Sequence, residues 1–141
     1  SMLAGKTFAN SPVAAVHALA YPIGGSFHVS HGLSNSLVLP YVLRFNSVDL
    51  KAAKSYAELA PCVFPNIDTA QGTQAVCAEF IDKLENLSKK LGLPQKLREV
   101  NIPKEACEKM AKDAMKQTRL LVNNPREVTE SDALNIYQTA W

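Results

Sequence analysis

Three side chains near the start of the sequence carry chemistry beyond packing. His17 lies in the apolar run Val13-Ala14-Ala15-Val16-His17-Ala18-Leu19-Ala20, Tyr21 follows four residues later, and His31 stands beyond Gly24-Gly25. Neutral imidazole is the commonest protein metal ligand. Two imidazoles from successive helices can meet at one ion when the connection folds back. Read alone, an imidazole in an apolar helix is more often a hydrogen-bonded core residue than a ligand. The metal reading therefore needs His17 and His31 together. His28 precedes His31 by three residues but falls on a turn with no Cys or carboxylate beside it, poor ground for a local site.

The elements that must position these groups read as helices. A first helix is predicted over residues 9–23, with Asn10 or Ser11 as cap and Pro12 in the first turn. Val13, Val16, Ala20 and Ile23 recur at helical spacing, and His17 and Tyr21 share a face. A helix apolar all round is expected to be buried on all sides. Pro22 should kink it or close its last turn, and Gly24-Gly25 should turn the chain. Phe27-His28-Val29 could be extended. Ser30-His31-Gly32 then leads into a helix over 33–45, bent by Pro40. A helix over 50–60 ends before Pro61.

Asp68 with Gln71 resembles a capping box and is expected to open the longest helix, 69–91, with Val76, Phe80, Leu84, Leu87 and Leu91 facing inward. Gly92 and Pro94 stop it. Pro103 starts another helix. Thr129 with Asp132 caps the last, which buries Leu134, Ile136, Tyr137 and Trp141. No strand signal of any length and no internal repeat are present. The fold class expected is all-α, a helical bundle of about six to seven helices.

Composition narrows the partners. The 141 residues are 47% apolar and 20% charged, enough apolar matter for one packed domain, with too few charges for disorder. A net charge of +2 without a Lys/Arg block argues against a nucleic-acid binder. No apolar run reaches membrane-span length. Cys62, Cys77 and Cys107 form no CxxC and read as reduced thiols of a cytoplasmic protein. The apolar opening Met2-Leu3-Ala4-Gly5 gives the chain the look of the back part of something longer.

The stretch His17-Ala18-Leu19-Ala20-Tyr21-Pro22-Ile23-Gly24-Gly25, then His31-Gly32-Leu33-Ser34-Asn35, resembles the signature of the iron-dependent (group III) alcohol dehydrogenases. Ala4-Gly5 with Phe8 and Asn10 fits the same pattern. So does the closing stretch Asn124-Pro125-Arg126, Thr129, Asp132, Ile136-Tyr137 and Trp141. The resemblance implies the C-terminal all-helical metal-binding domain (dehydroquinate synthase-like) over residues 1–141, with the N-terminal NAD(P)-binding α/β domain absent from this chain. It implies a divalent metal, mostly Fe2+ with Zn2+ possible, held by one Asp and three His. His17 and His31 would be two of the ligands, the other two lying before this chain begins.

The resemblance further implies NAD or NADP bound mainly by the absent domain, a small alcohol or aldehyde substrate, and a homodimer or higher oligomer of the parent. Phe8 and Tyr21 would line the substrate and nicotinamide pocket. Many members carry a second histidine where this chain has Tyr21. A phenol ionises far above neutrality, so Tyr21 is expected to orient substrate or water at the catalytic position rather than to relay protons. The contrasting reading is an isolated non-catalytic helical module for oligomerisation or scaffolding. It draws on the lack of a Gly-rich dinucleotide fingerprint here.

Overall fold

A computed structural model describes residues 2–141, and all regular structure among them is helical. Eight α-helices follow in order: α1 (Met2–Asn10), α2 (Ala15–Phe27), α3 (His31–Asn46), α4 (Leu50–Val63), α5 (Thr73–Lys90), α6 (Ala106–Ala114), α7 (Thr118–Leu121) and α8 (Glu130–Ala140). Short 3-10 turns at Thr69–Gln71 and Leu97–Val100 precede α5 and α6. The all-α class holds, with one helix more than the upper expectation.

The main core lies among α2, α3, α6 and α8. Leu19 and Ile23 from α2, Leu37 and Val38 from α3, Met110 from α6 and Tyr137 from α8 are buried there. The Tyr137 hydroxyl, inside this core, donates to the Leu19 carbonyl at 2.6 Å. That contact falls in the turn where Pro22 removes a helical hydrogen bond. Pro22 therefore interrupts the ladder without ending α2, which runs on to Phe27. Pro61 likewise lies inside α4, so that helix does not stop at residue 60.

α4 and α5 pack as a second unit around two smaller clusters, Ala60, Ile67, Val76 and Phe80 in one and Ala53, Cys77 and Ile81 in the other. α3 touches both units, packing against α2 and α8 on one side and α5 on another. Its C-terminus is locked by polar groups. Asn46 is buried, and its amide exchanges hydrogen bonds with that of Asn124 at 3.1 and 2.7 Å. Arg126 donates to the Phe45 carbonyl at 2.9 Å and stacks its guanidinium over the Phe45 ring. The closing motif Asn124-Pro125-Arg126 is thus a latch on α3.

Several expected boundaries move, each for a local reason. The helix expected over 9–23 is two helices, broken at 11–14, where Pro12 cannot continue the α1 ladder. The turn expected at Gly24-Gly25 does not occur there. Both glycines are helical, and the chain turns at His28, whose φ of 56° is left-handed and whose N–H closes α2 on the Gly24 carbonyl. The 69–91 helix is split at Gly72, with φ 93°, so Asp68 caps only the short 3-10 turn. Leu87 and Leu91 are exposed rather than inward-facing, because Cys77 and Ile81 take the buried stripe with Val76 and Phe80. The Thr129–Asp132 capping box of α8 is present as expected. No helix among the described residues is long and apolar enough to cross a membrane.

Candidate metal and substrate site

The site begins at the α2–α3 connection, which packs onto Gly24: a Cβ there would lie 3.3 Å from the Val29 carbonyl and, at ordinary contact, 3.7 Å from Ser34 Oγ. Ser34 is fully buried and donates to the Ser30 carbonyl at 3.0 Å, with Val29 O also 3.3 Å away. This fastens the first turn of α3 to the connection. His31 opens that turn, and His17 lies in the first turn of α2, its N–H on the Ala14 carbonyl at 3.1 Å.

The two imidazoles face each other with ring centres 5.1 Å apart, tilted by 56°. Two imidazole nitrogens at about 2.0–2.1 Å from one tetrahedral ion would set ring centres about 5 Å apart, so the spacing fits a shared metal. Burial, followed by the nearby charge of His31 when protonated, lowers the pKa of His17 below the usual imidazole value. That favours the neutral form, the one that coordinates. Among the described residues no third His, Cys, Asp or Glu joins the pair. His17 and His31 fit half of a four-ligand set. His28 is exposed at the end of α2 and stays outside it.

Asn35, one turn after His31, was not singled out from the sequence. Its side-chain amide lies against the ring, with Nδ2 3.1 Å from His31 Nε2, while its Oδ1 is buried without a partner. The signal was the i,i+4 spacing, which puts the amide over the ring.

Tyr21 is brought to the same place. Its ring centre is 6.1 Å from that of His31, and the side chain is 46% exposed. This corrects the expectation that the first apolar helix is buried on all sides: α2 presents His17 and Tyr21 outward and its alanines inward. Tyr21 also lines an open cleft of about 520 Å³. Phe8, from α1, lies on the same cleft and is 59% exposed. The opposite wall comes from Gln117, Arg119 and Leu120 in and beside α7. Asn123 ties the walls together, donating to the Val13 carbonyl at 3.3 Å and the Arg119 carbonyl at 3.0 Å. The candidate residues therefore form a pair of imidazoles beside an open cleft of mixed polarity, with Tyr21 shared between them.

Comparison with known proteins identifies the family. The profile of the Fe-containing alcohol dehydrogenase family, C-terminal, matches residues 1–141. The chain is 38% identical over its full length to long-chain-alcohol dehydrogenase 1 of Geobacillus thermodenitrificans, covering 35% of that protein. It is 31% identical to the lactaldehyde reductase of Escherichia coli K12 over 99% of this chain and 35% of that one. Its fold superposes on an alcohol dehydrogenase from Oenococcus oeni with a TM-score of 0.88 and 30% identity, over 99% of this chain and 36% of the other. The chain thus spans about a third of the length of the relatives it matches. By its profile, its relatives and its helical architecture, the chain belongs to the Fe-containing alcohol dehydrogenase family.

Proposed function

We propose that this chain is the metal-binding half of an NAD(P)-dependent alcohol dehydrogenase or aldehyde reductase. The observation that carries the reading is the 5.1 Å approach of His17 and His31 from two separate helices. Together they would hold a divalent ion, Fe2+ in keeping with the family name, with Zn2+ equally suited to the donor set. The remaining ligands and the nicotinamide-binding domain would lie outside residues 1–141, in the further length that the relatives possess.

When bound, such an ion polarises the substrate oxygen as a Lewis acid during hydride transfer. The residues of this chain do the rest. Phe8 and Tyr21 flank the cleft, exclude water from one side of it and orient a small alcohol or aldehyde beside the imidazoles. The Tyr21 hydroxyl donates a hydrogen bond toward the substrate oxygen and fixes its direction. In reduction the carbonyl carbon receives hydride from the nicotinamide and the oxygen receives a proton. The Asn35 amide restrains His31. All three thiols are free, two of them buried, in keeping with a reducing cytoplasmic setting. A homodimer or larger assembly of the longer protein belongs to the same proposal.

The test is consumption of NADH or NADPH by the longer protein carrying this chain, loaded with ferrous iron or zinc and offered a panel of small aldehydes. Turnover that is lost in His17→Ala and His31→Ala is expected. Absence of turnover with either metal, or full activity in His17→Ala, would contradict the reading.

A further inference from the structure

The cleft beside the histidine pair has a polar end that the reaction itself does not require. Phe8, Val13, Leu120 and the ring of Tyr21 supply the apolar part of its wall. Arg119 is the one charged residue in the lining. Arg119 is exposed, and among the described residues no carboxylate lies within ion-pair distance of its guanidinium. Arg119 also lacks the carbonyl and ring contacts that occupy Arg98 and Arg126. Gln117 stands beside it. The Gln117 backbone carbonyl is spent on Leu120 and Leu121, and the side chain remains on the cleft wall. Asn123 clamps the Arg119 backbone to the Val13 carbonyl, so the polar end is held at a fixed distance from the α1–α2 connection.

We infer that Arg119 and Gln117 form a recognition point for an oxyanion at the far end of the substrate, so that the preferred substrate class is an alcohol or aldehyde bearing a carboxylate. A guanidinium offers a planar fork of donors that matches a carboxylate, and a neighbouring amide N–H adds a further donor. The apolar wall between Tyr21 and Arg119 suits the methylenes that separate the reacting carbon from the carboxylate. This rests on the reading that the reacting carbon lies by His17, His31 and Tyr21. Phosphate on a dinucleotide carries the same oxyanion chemistry, and the test separates the two sources.

The experiment is nuclear magnetic resonance titration of the zinc-loaded longer protein carrying this chain with an ω-hydroxy carboxylate, the neutral diol of equal length, and inorganic phosphate. The carboxylate is expected to bind about tenfold or more tightly than the diol, a typical margin for a charge-assisted hydrogen bond, and to shift the Arg119 Nε–H and the Gln117 side-chain amide. That preference should collapse in Arg119→Gln and survive in part in Arg119→Lys. An equal thermal midpoint for wild type and variant shows that the loss is not unfolding. Equal affinity for carboxylate and diol, with both shifting Tyr21 and Phe8, overturns the inference and leaves the dehydrogenase reading standing. A response of Arg119 to phosphate but not to the hydroxy carboxylate also overturns it. If no ligand shifts Tyr21, Phe8 or either histidine, both readings fall.

Discussion

The α2–α3 pair and the α4–α5 pair bury their contacts with different residues. α2 and α3 pack together and bury Ala15, Ala18, Ala20, Ser34, Leu37 and Val38, with scarcely a charge on either helix. α4 meets α5 through Ala53, Ala60, Phe80 and Ile81, and carries its charges outside as the Lys54–Glu58 and Glu79–Lys83 pairs. The α4–α5 pair is an ordinary amphipathic hairpin and holds no site. The α2–α3 pair departs from amphipathicity, and three of its polar side chains, His17, Tyr21 and His31, gather at one place on it, the two imidazoles within one ion's reach.

Large-to-small substitutions should separate the two pairs most clearly. Phe80→Ala is expected to cost ~3–5 kcal/mol and Ile23→Ala ~2–5 kcal/mol in chemical denaturation. Only Ile23→Ala should also weaken the joint response of His17 and His31 to zinc. Equal damage to that response from both variants would break the comparison. The two glycines offer a finer version. Gly24→Val is expected to destabilise by ~1–3 kcal/mol, because its Cβ meets the Val29 carbonyl. At Gly25 a Cβ would meet nothing within 4 Å, and Gly25→Ala should gain ~0.5–1 kcal/mol.

Asn46 tests what joins the pairs, since it contacts Tyr56 of α4 as well as Asn124. Asn46→Ala and Asn124→Ala should each cost ~1–3 kcal/mol, with the double variant costing less than the sum, because each alone leaves a buried amide unpaired. Additive losses would mean that the reciprocal amide pair is not a unit. The smallest effect is expected at Asp113, far from both pairs. Hydrogen bonds from Lys109 and then Lys116 lower its pKa from 3.8 to about 2. A carboxylate depressed in the folded state stabilises above its unfolded value and loses that stabilisation as the pH falls through the folded one. Lys109→Met should therefore flatten part of the acid-side loss of stability between about pH 4 and pH 2, lower neutral stability by the same small amount, and change nothing below about pH 2.

Much of this was legible from the residues. Thr129 and Asp132 announced the start of α8, and the Val76–Phe80 spacing announced α5, because caps and amphipathic stripes are local signals. The α2 boundaries were not legible, because Gly24-Gly25 has two uses. Here the missing Cβ of Gly24 leaves room inside α2 for the Val29 carbonyl of the connection, and the turn falls to His28. His17, His31 and Tyr21 were visible as a spaced signature. Asn35 could have been found from its i,i+4 offset to His31. Arg119 and Gln117 could not, since they reach the cleft only through the tertiary placement of α7 beside α1 and α2.

The most direct test of the central claim is a zinc titration of this chain followed by the ring signals of His17 and His31, repeated with His17→Ala and His31→Ala. Both imidazoles should respond along one binding curve, weakly for half a ligand set, and removing either should abolish the response of the other. Independent curves for the two histidines, or a His31 response that persists in His17→Ala, would contradict a shared metal.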